Sequence, residues 1–218
     1  MNEKRQNEIL HTFPFMVIVG VILSFVLDAI FTGDWRTWAD EDTKRFGITY
    51  TGFVLGVFLF LLFYGRRTTF GPRFLLNFFM PSLALAQAFG RIGCFLGGCC
   101  YGQVSAWGVH YPPGSLPYAN LGDVGVIPIQ LFESEALMLL ALVCLRTKFA
   151  YKAIVYLFGV SVIRFVCEFF RGDDRGDFLG ITSLSPQQCM SVVFFCIAIG
   201  LCIWEYKSPD SRASAEGR

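Results

Sequence analysis

The chain has 218 residues, of which 54% are hydrophobic and only 16% charged. Its mean hydropathy is +0.53. That is too apolar for an ordinary soluble domain and fits a polytopic membrane protein. A net charge of +1 supplies no basic field, so no nucleic-acid partner is expected.

Six apolar runs read as candidate membrane spans, and the predicted class is an all-α polytopic membrane protein. In chain order they are Phe13–Phe31, Ile48–Tyr64, Phe74–Phe95, Leu131–Arg146, Tyr151–Phe170 and Gln188–Trp204. Most approach the roughly 20 residues a bilayer core requires, and the fourth is the shortest. The first run lacks a small-residue cleavage site and continues through Asp28 to Phe31, so it is expected to remain as a helix. Residues 1–218 are read as a single transmembrane domain.

Lysine and arginine in the short connections set the expected orientation. They occur at Lys4 and Arg5, at Arg66, Arg67 and Arg73, at Arg146, Lys148 and Lys152, and at Lys207, Arg212 and Arg218. Segment 96–130 has none. Both termini are therefore expected on the cytoplasmic side, with a cytoplasmic tail at 205–218. Loops 32–47, 96–130 and 171–187 are expected outside. The first and third of these carry acidic residues beside their basic ones, including Asp34, Asp40, Glu41, Asp42, Asp173, Asp174 and Asp177. Trp107, Tyr111, Tyr118 and several prolines suggest that segment 96–130 forms an ordered cap at the interface.

Within this frame Arg91 and Arg164 lie inside apolar runs, where a charge costs roughly 2.5–3.5 kcal/mol on insertion scales. Such residues normally face a polar cavity, and a guanidinium matches phosphate bidentately. Both fall one to two turns below the outer surface. Gln130 and Glu133 mark the outer start of the fourth run, and Ser185 and Gln188 that of the sixth. Four runs thus point polar groups to one region, which reads as a site for a lipid phosphate. Arg164, Glu168 and Arg171 are spaced to share one helix face. Pairing of Arg164 with Glu168 as a purely structural fastening is the competing reading. Gly90, Gly93, Gly97, Gly98 and Gly102 disfavour helix and permit close approach or unwinding at its end.

Cys144, Cys167, Cys189, Cys196 and Cys202 read as small buried hydrophobes. Cys94, Cys99 and Cys100 cluster in sequence at the outer cavity, and three readings stay open. They are a disulfide in an oxidising compartment, a metal site joined by His110, and a reactive thiolate whose pKa Arg91 lowers. Adjacent cysteines fit tetrahedral coordination poorly, so no metal and no cofactor are expected. His110 reads as a loop histidine able to act in acid–base chemistry, and His11 as an interfacial residue.

Three strings carry a resemblance. GRIGCFLGGCCYG keeps Gly90, Arg91, Gly93, Phe95 and Gly102 of the signature G-R-x-G-N-F-x-N-x-E-x-x-G. IPIQLFE keeps Pro128, Gln130, Leu131 and Glu133 of H-P-S-Q-L-Y-E. RFVCEFFRGDD keeps Arg164, Phe165, Glu168, Phe169, Arg171 and Asp174 of R-F-x-x-E-F-x-R-x-x-D. The chain from about Tyr50 to Ser191 resembles the bacterial prolipoprotein diacylglyceryl transferases. It departs from them at Cys94, Gly97 and Cys99, which replace two asparagines and a glutamate. A further departure is Thr51 or Tyr50, where the family has histidine.

The resemblance implies a bacterial inner-membrane enzyme acting in lipoprotein biosynthesis. It would move diacylglyceryl from phosphatidylglycerol to the cysteine thiol of a lipobox-containing prolipoprotein. Its implied phospholipid-binding residues are Arg91, Arg164, Arg171 and Gln130. Arg91, Arg164, Glu168, Cys99 and Cys100 are the candidate catalytic groups, with Glu168 orienting the arginines and the two cysteines proposed from their place at the cavity, not from the resemblance. Two alternatives stand beside this reading. One is a divergent enzyme using Cys99 or Cys100 as nucleophile or redox centre on another acceptor. The other is a non-catalytic phospholipid-binding protein.

Overall fold

The computed structural model describes residues 3–32, 49–172 and 185–207. Seven α-helices and one short strand are present among them. The acidic residues expected in loop 32–47, Asp173, Asp174, Asp177 and most of the tail lie outside the described residues. The predominantly helical class agrees with the sequence reading. Four helices are long and apolar enough to cross a membrane, over Gln6–Ile30, Gly71–Leu96, Phe149–Glu168 and Pro186–Lys207.

Contacts divide the chain into two compact units, Met1–Leu76 and Asn77–Arg218. In the first, α1 (Glu3–Thr32) packs on α2 (Tyr50–Tyr64). Small residues make the contact close. A Cβ on Gly56 would sit 2.9 Å from the Cα of Gly20, and one on Gly52 would sit 2.7 Å from the Cα of Ser24. Gly20 and Ser24 are four apart, as are Gly52 and Gly56, so each pair forms one small-residue face. Ser24 Oγ donates to the Thr49 carbonyl at 2.7 Å, and Thr49 Oγ1 returns a bond to the Ser24 carbonyl at 3.0 Å. Thr51, one of the two positions where the resemblance places a histidine, is fully buried on α2 in this unit. After a 3₁₀ turn at Gly65–Arg67, helix α3 (Gly71–Leu96) opens with Gly71 at φ 76° followed by Pro72, a residue suited to a first helical turn.

The second unit holds the remainder of α3, then β1 (Val104–Val109), α4 (Leu116–Leu121), α5 (Ile129–Arg146), α6 (Lys152–Glu168) and α7 (Pro186–Lys207). Asn77 Oδ1 near the start of the unit accepts from the Ala153 amide at 2.9 Å, occupying a donor that the first turn of α6 leaves open. Ser134 on the first turns of α5 donates to the Ala88 carbonyl of α3 at 2.9 Å. The start of α5 thereby meets the end of α3. Leu83, Ala84, Ala88, Leu137, Tyr156, Leu157, Val160 and Phe194 form the core.

α7 begins with a capping box. Ser185 Oγ accepts from the Gln188 amide at 3.2 Å, and Gln188 Oε1 accepts from the Ser185 amide at 3.0 Å, with Pro186 at the first helical position. The tail expected from residue 205 begins inside this helix.

Segment 101–105 runs extended between two others. The Gly102 amide donates to the Ile127 carbonyl at 2.9 Å, the Ile127 amide to the Gln103 carbonyl at 2.9 Å, and the Gln103 amide to the Phe170 carbonyl at 3.0 Å. Gly102 is required there, because a Cβ would fall 2.5 Å from the Ile127 carbonyl oxygen. This short β-like lacing, which an all-helical reading omits, ties the region after α3 to the ends flanking α5 and α6.

Candidate functional site

Arg91 is five residues from the end of α3, Arg164 four from the end of α6, and Glu133 four after the start of α5. With a rise of about 1.5 Å per residue, all three lie within roughly 6–8 Å of their helix ends. Their side chains converge. Arg164 Nη1 donates to Glu133 Oε1 at 2.6 Å, and Arg91 Nε stands 2.9 Å from Glu133 Oε2. One carboxylate therefore carries two guanidinium groups, one on each oxygen. All three residues are buried, Glu133 to 1% exposure.

Gln187 Oε1 at the start of α7 accepts from Arg164 Nη2 at 3.3 Å, which adds a fourth helix. Glu168 accepts from Ser185 Oγ at 2.9 Å, and its other oxygen lies 4.0 Å from Arg171 Nε. Sequence spacing marked Glu168 as the orienting carboxylate; the structure gives the joining of Arg91 to Arg164 to Glu133. Glu133 was visible as an acidic residue in an apolar run and as the last position of IPIQLFE. Its partner could not be read from local spacing, because Arg91 and Arg164 are 42 and 31 residues away in the chain.

Among the described residues the site holds Arg91, Arg164 and Arg171 against Glu133 and Glu168, an excess of one positive charge. Each buried ion loses several kcal/mol of hydration, which only good geometry and further hydrogen bonds offset. An arrangement with surplus guanidinium is chemically suited to an oxyanion whose charge grows during a reaction.

Gln130, expected at the phospholipid, is fully buried, and its amide nitrogen donates to the Cys99 carbonyl at 2.8 Å and toward Tyr111 Oη at 3.4 Å. It holds the turn after α3. Tyr111 Oη also reaches the Phe95 carbonyl at 3.3 Å, and its ring packs edge-on to Phe95 at 5.9 Å. Burial lifts the Tyr111 phenol above its ordinary value, so it stays a donor at neutral pH. Neither Tyr111 nor Gln187 was assigned a site role from sequence; Gln187 had a signal in the helix-start pattern Ser185-Pro-Gln-Gln.

The turn after α3 is a Schellman ending. The Gly98 amide bonds to the Phe95 carbonyl at 3.2 Å, the Cys99 amide to the Cys94 carbonyl at 3.1 Å, and Gly98 has φ 69°. Its consequence is that Cys94 and Cys99 face each other, and Cys100, also left-handed at φ 60°, brings a third thiol. The three Sγ atoms lie within 4.8 Å of one another. Arg91 Nη1 is 3.9 Å from Cys94 Sγ.

Hydrogen bonding with Cys100 pushes the Cys99 thiol well above its ordinary pKa, with the contact to Cys94 and burial adding to it. This is opposite to the lowered value expected from Arg91, whose charge bears on Cys94 and Cys100 instead. His110 does not join the cluster. It forms an exposed pair with Asp123 at 2.8 Å.

The chain is similar to known proteins over most of its length. A family model described as prolipoprotein diacylglyceryl transferase matches residues 1–204. A phosphatidylglycerol–prolipoprotein diacylglyceryl transferase of Clostridium tetani is 32% identical over 165 residues, covering 72% of this chain and 63% of that protein. A second such transferase, from Clostridium perfringens, is 31% identical over 219 residues, covering 95% and 82%. One from Campylobacter jejuni is 28% identical over 217 residues, covering 91% and 76%. The match thus spans less than two thirds of the Clostridium tetani protein but most of the other two. With nearly the whole chain matched and its arginines, glutamate and glycine turn gathered in one place, this chain belongs to the prolipoprotein diacylglyceryl transferase family.

Proposed function

We propose that this protein transfers diacylglyceryl from phosphatidylglycerol to the cysteine thiol of a lipobox-containing prolipoprotein in a bacterial inner membrane. The observation that carries this reading is the single buried carboxylate of Glu133 shared by Arg91 and Arg164. It fixes two guanidinium groups where the surplus charge meets a headgroup phosphate, and Arg171 adds to that charge. In the reaction the acceptor sulfur forms a C–S bond to the glyceryl carbon of the lipid, and the C–O bond to phosphate breaks. The electron pair leaves on the phosphate oxygen as glycerol phosphate, and the thiol proton passes to solvent, its charge balanced by the second negative charge of the new phosphate monoester. Fixed guanidinium groups stabilise the developing dianion more than the ground-state diester.

An apolar groove of about 230 Å³ between α6 and α7, lined by Ser161, Val162, Phe165, Val166, Ser191, Val192 and Phe195, suits part of an acyl chain. Cys100 lies close enough for its charge to act on Arg91, and Cys99 adjoins it. A second reading makes one of them the first acceptor of the lipid, and their proximity to Arg91 favours it. The raised pKa of Cys99 favours the incoming lipobox thiol instead.

The same reading takes the chain as one transmembrane domain with six crossings and both termini cytoplasmic. Helix α2 is about 22 Å long and α5 about 27 Å, short of a core of roughly 30 Å. Leu139, Leu142, Val143 and Leu145 of α5 are nonetheless exposed, as lipid-facing residues are. Loop 96–130 then covers the outer face, with Tyr111 packed over the helix-end turn.

The test is purified protein in phosphatidylglycerol vesicles with a fluorescent lipobox peptide. Lipidated peptide and released glycerol phosphate in equal amounts are expected. Lipid binding without either product would select the non-catalytic alternative.

A further inference from the structure

The three thiols after α3 are unusual in how they are assembled. A Schellman ending places the residue at its third-last helical position against the second residue beyond the helix, usually as an apolar contact. Here those two positions are Cys94 and Cys99. An apolar pair would satisfy the motif equally, so this contact alone carries nothing. Cys100 is the added element. A non-glycine residue at φ 60° is uncommon and persists where its surroundings over-determine it. The left-handed turn removes the objection that neighbouring cysteines cannot serve one centre, because it folds the Cys100 side chain back toward the other two. All three Sγ atoms lie within 4.8 Å. Sulfur atoms bound to one metal at about 2.3 Å stand roughly 4 Å apart, so a small inward movement completes the geometry.

We propose that Cys94, Cys99 and Cys100 form a binding site for a soft, thiolate-preferring cation of the Cu(I) class. Three sulfur ligands with no histidine or carboxylate among them select a soft ion. Structural Zn(II) is almost always four-coordinate. The natural fourth ligand by sequence, His110, is engaged with Asp123. Binding releases the three thiol protons to solvent and leaves an anionic centre. The Arg91 guanidinium, 3.9 Å from Cys94 Sγ, offsets part of that charge. All three cysteines are half-buried, so an ion delivered from the surface can reach them while bulk water is partly excluded.

The test uses reduced full-length protein in detergent under anaerobic conditions, loaded with Cu(I) and challenged with a Cu(I)-selective chelator. One equivalent retained per chain is expected, with an X-ray absorption spectrum showing three sulfur neighbours. Cys94→Ser, Cys99→Ser and Cys100→Ser should each weaken retention by more than about 100-fold, beyond what losing a supporting partner costs. Cys196→Ser, on α7, should retain the ion. The absorption spectrum of the unsubstituted protein decides the matter if a variant fails to fold. Equal loss of Cu(I) from the unsubstituted protein and the triple serine variant overturns the proposal, as does a two-sulfur shell. Preference for Zn(II) at matched chelator strength overturns the assignment to the Cu(I) class. A disulfide among the three in protein isolated without reductant replaces it with a redox pair. Metal content is read independently of lipid transfer, so the two proposals fail separately.

Discussion

Glu133 holds Arg164 at 2.6 Å from a position 31 residues earlier in the chain, while its second oxygen, 2.9 Å from Arg91, ties in a third helix. The carboxylate links the two arginines and fixes the distance between their charges. That relation makes the site sensitive in two separable ways, through charge and through stability.

Charge is probed at the arginines. Arg91→Ala and Arg164→Ala should each lower transfer to a lipobox peptide by about 10²–10³-fold, the range for losing one preorganised donor to a developing oxyanion. Arg91→Lys keeps the charge but loses the fork geometry, so activity should fall between these and the unsubstituted protein. Initial rates at saturating phosphatidylglycerol check this, and full activity in Arg91→Ala would remove the phosphate site.

Stability is probed at the carboxylate. Glu133→Ala leaves two buried guanidinium groups without their shared anion and should cost about 3–5 kcal/mol. Glu133→Gln keeps the shape and acceptor oxygen and should cost less. Thermal unfolding in detergent should rank the unsubstituted protein, Glu133→Gln and Glu133→Ala in that order. Equal midpoints would mean that the network is not energetically coupled.

The thiol turn should respond to pH. The Cys99 pKa is raised on folding, so the unfolded chain loses that proton first, near its free value of about 8.5. Stability contributed by the neutral thiol is fully present below that pH and falls as pH rises above it. Unfolding midpoints of the protein and of Cys99→Ser should therefore converge between neutral and alkaline pH. A constant difference across that range would contradict the raised value.

The lacing after α3 depends on one missing side chain. Gly102→Ala sets a Cβ 2.5 Å from the Ile127 carbonyl and 3.0 Å from that of Phe170, both backbone atoms. Neither can move aside alone, and a loss of about 2 kcal/mol or more is expected. Gly200→Ala, with open space at its Cβ and no positive φ, serves as the uncrowded control. Only Gly102→Ala should lower the unfolding midpoint, and an equal loss in both would rule out crowding as the cause.

Apolar run length, lysine and arginine placement, and the cost of a buried arginine are local quantities, so the helical membrane class and the importance of Arg91 and Arg164 could be read from the chain alone. The three signature strings likewise located the family. The identity of the shared carboxylate could not be read that way. Glu168, at helical spacing from Arg164, looked the better partner, and only the packing of α5 against α3 and α6 brought Glu133 between the arginines. Gln130 stood in a recognisable string, yet its fully buried amide faces the turn it supports. The three cysteines lie within seven residues of sequence with no means of telling contact from separation, since a left-handed φ at Cys100 leaves no mark in composition. Hydrophobicity and charge act residue by residue, whereas ion pairing and thiol clustering depend on distances set when separate helices pack.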